Sequence, residues 1–164
     1  MSLLLVGCAA APTAGPAPAP APAPSLTQEQ QDASTFRSLY ETYISMPFDE
    51  ETEEDLRRVL TGSALSSDLE SLQSDRQSGQ RIIGHDTFRD FSVTDHGVDP
   101  SSGAYMVAEA CLDVSGTRVL DAQGADITPQ RENLLSLQMK AMKIEGDGWR
   151  ISDFVRNDGV HACD

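Results

Sequence analysis

Residues 134–155 read LLSLQMKAMKIEGDGWRISDFV, and this stretch decides the fold. Leu135, Leu137, Met139 and Ala141 alternate with more polar neighbours, which is the period of a strand buried on one face. The phase then slips by one, to Met142 and Ile144. Such a slip predicts a β-bulge near residue 141. Gly146-Asp147-Gly148 is a hairpin signal. Trp149, Ile151 and Val155 then form the returning strand.

The same period extends upstream to about residue 80. Residues 104–114 read as a strand with Met106, Ala108, Ala110, Leu112 and Val114 on one face. Phe91 and Val93 alternate ahead of a turn expected at Gly97–Gly103, and Val119-Leu120 is a short strand piece before a turn at Gly124. Further toward the N-terminus the period becomes helical. Thr27-Gln28-Glu29-Gln30 has the form of a capping box, with a hydroxyl at the N-cap and Gln three residues on. Ala33, Phe36, Leu39, Tyr40, Tyr43 and Ile44 follow as one apolar stripe, and Pro47 ends the helix.

The acidic run Asp49–Asp55 lacks the central Gly of a calcium loop. It is read as the start of a second helix, where carboxylates suit the positive end of the dipole and Leu56, Val59 and Leu60 face the core. Ser67-x-x-Glu70 is a second capping-box candidate, leading into a short helix through Leu69 and Leu72. Helices first and an antiparallel meander afterwards predict an α+β domain with the helices packed on one face of the sheet.

The order of elements and the ending Gly146-Asp147-Gly148-Trp149-Arg150-Ile151 resemble the cystatin-like cone of the nuclear transport factor 2 superfamily, including its SnoaL-type members. The resemblance spans residues 27–156. It implies N-terminal helices on a curved antiparallel sheet, with a pocket between them in which the family's enzymes place an acid–base pair.

The N-terminal segment carries a second resemblance. Leu5-Val6-Gly7-Cys8 is similar to the lipobox of bacterial lipoproteins, actinobacterial ones among them. In that family the Cys thiol receives a diacylglyceryl group and the chain is cleaved just before it. Only Leu3–Val6 precede as an apolar stretch, and the first basic residue is Arg37, so residues 1–7 are read as a truncated signal peptide. All but three of the 9 prolines lie before residue 25, most of them alternating with Ala. Such a run favours extended polyproline II and acts as a spacer. The expected organisation is a signal remnant at 1–7, a lipidated Cys8 and disordered Ala/Pro tether at 8–25, and the cone-like domain at 26–164.

Charge and cysteines bear on partners and compartment. The formal net charge is −14, from 26 acidic and 12 basic residues. Only two of the basic residues are lysines, Lys140 and Lys143. A phosphate-neutralising surface needs clustered basic side chains, so nucleic acid is not an expected partner. Electrostatic adhesion to anionic headgroups is disfavoured for the same reason, leaving membrane attachment to the lipid on Cys8. With Cys8 assigned to lipid, Cys111 and Cys163 remain as a pair, and an oxidising compartment favours a disulfide between them.

Catalytic signatures are sparse. No Gly-x-Ser-x-Gly elbow or phosphate loop occurs, and the 3 histidines lack zinc spacing, so neither a metal nor a cofactor is expected. His85, Asp86, His96, Asp113 and Asp153 are the acid–base candidates, with Tyr40 or Tyr43 as a phenol donor. Asp153 is singled out because it shares the alternation of Trp149, Ile151 and Val155, which points it toward the pocket. The expectation is a lipoprotein on the outer face of the cytoplasmic membrane, presenting a non-catalytic domain that binds a protein partner or a small apolar ligand. The alternatives are a SnoaL-like isomerase, cyclase or hydrolase, and a phage- or plasmid-encoded surface-exclusion lipoprotein.

Overall fold

The computed structural model describes residues 26–156 and 159–163. Three helices precede six strands: α1 Gln28–Ile44, α2 Glu53–Val59, α3 Gly62–Ser78, β1 Arg81–Ile83, β2 Thr87–Asp99, β3 Gly103–Asp113, β4 Arg118–Leu120, β5 Leu134–Ile144 and β6 Gly148–Arg156. A four-stranded antiparallel sheet runs β2-β3-β5-β6, and β1 and β4 form a separate two-stranded ribbon. The α+β class, with helices packed on an antiparallel sheet, is as the sequence predicts.

Local chemistry explains the first two helices. Thr27 caps α1 by accepting from the Gln30 backbone N–H at 3.2 Å, and the Gln30 side chain accepts from the Thr27 N–H at 3.0 Å. Thr52 accepts from the Asp55 N–H at 3.2 Å and opens α2. Glu53, Glu54 and Asp55 fill the first turn of α2, at the positive end of its dipole.

The third helix departs from expectation. It starts at Gly62, after an N-cap Thr61 that makes no side-chain capping bond, and runs for 17 residues. Ser67 lies inside it rather than at its start, and the Ser67 carbonyl accepts from the Ser71 hydroxyl. The capping-box pattern at 67–70 was misleading because α3 has no continuous apolar stripe to mark its true beginning.

Two strand details also differ. Strand β2 continues through Gly97, which faces Tyr105, to Asp99, so the turn is confined to residues 100–102. The irregularity near residue 141 is present, but the extra residue is on β6. Lys140 pairs with Asp153 and Ala141 with Ile151, which leaves Ser152 as the bulged residue. Its hydroxyl donates to the Lys140 carbonyl at 3.1 Å. Downstream of the bulge the phase is inverted. Phe154, opposite buried Met139, takes the inner position, while Asp153 and Val155 stand opposite Lys140 and Gln138.

The core lies between α1, α2 and the inner sheet face. Phe36, Tyr40, Leu56, Leu60, Met106, Met139 and Ile151 are almost completely buried. Ala108, Ala110 and Ala141 line the middle of the inner face, and their small side chains leave room for the α1 aromatics. The free edge of β6 is covered where the α2–α3 junction runs beside it. Leu60 bridges Ile151, and the Thr61 N–H donates to the Ile151 carbonyl at 2.8 Å.

On the opposite sheet face Cys111 and Cys163 form a disulfide, with Cα atoms 4.7 Å apart. The Cys163 N–H donates to the Ser136 hydroxyl, and Arg89 donates to the Cys163 carbonyl. Arg89 and Ser136 both pair with Cys111 across the sheet. The C-terminal tail is therefore pinned over the middle strands, and its Val160 is buried.

Candidate functional site

A cleft of about 870 Å³ opens between α3 and the end of the sheet formed by Leu112, Leu135 and Phe154. The C-terminal part of α1 supplies Tyr40, Tyr43 and Ile44, the following loop supplies Phe48 and Glu51, and β1 supplies Ile82. Its size is that of ordinary small-molecule sites.

The cleft exists because of the spacing along α3. Ala64, Ser67, Asp68, Ser71, Leu72, Asp75, Arg76 and Gly79 all line it. These positions recur every three or four residues and form one stripe of the helix. Six of the eight are polar or Gly, so this stripe cannot seal against the leucines opposite.

Electrostatics concentrate on the α1–α3 side. The Tyr43 hydroxyl donates to Asp68 Oδ2 at 2.7 Å. Burial pushes the Asp68 carboxyl above its usual range, against the lowering effect of that bond. Glu51 is pushed up to about 7, first by burial and then by the charges of Asp68 and Asp55, with Arg76 opposing. Burial and the neighbouring Asp68 also push the Tyr43 phenol far up. Tyr40 is 0% exposed, and its hydroxyl has no hydrogen-bond partner among the described residues.

Asp86, between β1 and β2, also lines the cleft. The Thr117 hydroxyl lies 3.2 Å from Asp86 and 3.0 Å from the Val114 carbonyl, donating to one at a time, and accepts from Arg131 at 2.7 Å. Burial raises the Asp86 carboxyl, and the Thr117 and Arg131 contacts oppose that rise.

The residues picked from sequence divide between the cleft and elsewhere. Tyr40, Tyr43, Asp86 and Asp153 line it. The alternation argument for Asp153 fails at the Ser152 bulge, and Asp153 reaches the cleft rim through α3 instead, accepting from the Ser63 hydroxyl at 2.8 Å. His85 borders a separate groove beside Phe88. His96 lies 2.9 Å from Glu29 at the N-terminal end of α1, and Asp113 accepts from the Ser115 N–H in a turn. Cys8 lies outside the described residues. Glu51 and Asp68 are the members that sequence reasoning missed. The polar three–four stripe through Asp68 was the available signal.

Among the described residues no group of three or more His, Cys, Asp or Glu is arranged to hold a metal ion, and no helix is long and apolar enough to cross a membrane. No protein-family model matches the sequence, and no curated protein does. Among solved structures, the intermembrane space region of the chloroplast protein ARC6 superposes with a TM-score of 0.54 at 18% identity, over 80% of this chain and 97% of that one. A periplasmic fragment of TraM gives a TM-score of 0.50 at 12% identity, over 80% of this chain and 99% of that fragment. These likenesses establish a shared fold.

Proposed function

We propose that this chain is the extracytoplasmic part of a lipid-anchored bacterial lipoprotein, and that its domain is a non-catalytic module binding a small ligand in the cleft. The observation that carries the binding reading is the open cleft itself, lined by aromatic and aliphatic side chains and by polar ones in similar number. The Cys111–Cys163 disulfide supports the compartment, since such bonds persist outside the reducing cytosol. Leu5-Val6-Gly7-Cys8 supports the anchor. Both structural neighbours bear names that place them outside a cytosol, in an intermembrane space and a periplasm. A cleft between helices and an antiparallel sheet also supports kinship with the nuclear transport factor 2-like cones.

Mass spectrometry of the chain, expressed with its upstream sequence in a bacterial host, tests the address. The expected result is a diacylglyceryl mass on Cys8 and the loss of two hydrogens across Cys111 and Cys163. Unmodified Cys8 in the soluble fraction overturns the anchor. Ligand binding by the full chain, lost when the cleft is filled by Ser71→Phe, tests the module.

One observation favours a second reading, an acid–base enzyme of the SnoaL type. Glu51 lines the cleft, and burial pushes its carboxyl up to about 7, toward the range a general base requires. Exchange of the α-protons of a cyclic ketone into deuterated buffer, followed by NMR, tests it. Catalysis abolished by Glu51→Gln would replace the binding reading, and exchange at the buffer rate would remove the enzymatic one.

A further inference from the structure

We propose that the cleft selects a small organic cation with an apolar body, its amine or guanidinium head held at Glu51 and Asp68 and its body lying on the Tyr43–Phe154 aromatic pair. The inference rests on the reading that the cleft is a ligand seat and adds the ligand's chemical class.

Three independent features converge on it. The first is uncompensated charge. Glu51 and Asp68 line the cleft together with Asp49 and Asp75. None of these carboxylates takes part in an ion pair found among the described residues, where the exposed acids of α2 do. Two cations line the same cleft against six carboxylates: Arg81, and Arg76, which donates to the Glu51 backbone carbonyl at 3.2 Å. Burial raises both Glu51 and Asp68, and neither the Arg76 charge at Glu51 nor the Tyr43 bond at Asp68 cancels that rise. An anionic ligand would meet repulsion here.

The second feature is the surface next to that charge. The Tyr43 and Phe154 rings are stacked with centroids 5.2 Å apart and planes 27° apart. The Tyr43 hydroxyl is bound to Asp68, so carboxylate and ring form one continuous surface. An aromatic face beside a carboxylate suits an organic cation, which gains from both the ring quadrupole and the charge. A bare metal ion gains little from a ring, and the described residues offer it no cluster of three acidic or imidazole ligands.

The third feature is Tyr40. It lies on the wall of the same cleft, fully buried, with a hydroxyl that no described residue meets. Buried hydroxyls are almost always bonded, and this one is closed off from the empty cleft, so a ligand acceptor meets it by displacing the side chains that cover it. The ligand is therefore cationic at one end and carries an acceptor, such as an ether or carbonyl oxygen, along its body.

Calorimetric titration of the full, oxidised chain with phenylbutylamine, phenylbutanol and phenylbutyrate at about pH 8 tests this. The amine binds one saturable site, about tenfold more tightly than the alcohol, and the carboxylate binds most weakly. Asp68→Asn removes the advantage of the amine and leaves the alcohol unaffected. Glu51→Gln serves the same purpose if Asp68→Asn fails to fold. A methoxyphenyl analogue of the amine gains affinity in the parent chain and not in Tyr40→Phe. If all three probes bind equally, the cleft is a ligand seat but the cation inference is wrong. If none binds, the small-ligand reading falls with it.

Discussion

Tyr43, in the last turns of α1, donates its hydroxyl to Asp68, in the middle of α3, across 2.7 Å and 25 residues of sequence. Contacts between α3 and the rest of the fold are otherwise weighted toward β6, so this bond holds one wall of the cleft at its distance from the other. Tyr43→Phe is expected to cost about 1 kcal/mol near neutral pH, the ordinary net worth of such a bond when partly exposed. It should also raise the Asp68 carboxyl further, because the bond now lowers it. Urea denaturation at two pH values checks both. An unchanged midpoint at neutral pH would mean that the bond does not form in solution.

Glu51 makes stability depend on pH in a direction opposite to most carboxylates. Its folded value is about 7 against an ordinary 4.5, so the folded state binds more protons than the unfolded one between those values. Its contribution is therefore most favourable below about pH 4.5 and is lost as pH rises through 7. Undiminished, the shift corresponds to roughly 3 kcal/mol, which solvent screening of this half-exposed group reduces to about 1. Asp68 and Asp55 face it as acids, and Arg76 as the opposing base. Glu51→Gln should flatten the stability profile across that window and stabilise the chain at pH values above it. A profile identical to that of the parent would refute the shift.

Tyr40→Phe is expected to stabilise the free protein by about 1 kcal/mol, since removing a buried hydroxyl with no partner removes its desolvation penalty. Thermal or urea unfolding reads this directly. Destabilisation would show that the hydroxyl has a partner in solution.

Reduction of Cys111–Cys163 should cost about 4 kcal/mol by the chain-entropy estimate for its sequence separation of 52. The loss should appear in urea unfolding with and without reductant. Amide exchange should show increased opening around Val160, which is buried only while the tail lies on the sheet. Equal stability in both redox states would place the tail's energetics elsewhere.

Much of this architecture was readable in the chain because local and tertiary signals agree. The Thr27 cap and the stripe through Phe36 and Tyr40 mark α1, and the alternation through Leu137 and Met139 marks β5. Reading failed where function and packing diverge. Helix α3 turns Ser67, Asp68, Ser71 and Asp75 toward the open cleft, so a search for apolar periodicity finds no beginning for it and misses the cleft it makes. Ser152 shows a different failure. A phase slip reports that one residue is extra in a hairpin, but not which strand carries it, so Asp153 reaches the cleft as expected but not by the alternation that pointed it there. Glu51 was absorbed into an acidic run whose helix-opening role belongs to its neighbours Glu53, Glu54 and Asp55.

Helix α1 has a further consequence for orientation. Its first turn lies beside the end of β2, where Glu29 meets His96, and its last turns form the cleft wall at Tyr43 and Ile44. Its 17 residues make a rod about 25 Å long. The start of the described residues and the wall of the cleft therefore sit at opposite ends of one rigid helix, so a push on either end is carried along its axis to the other.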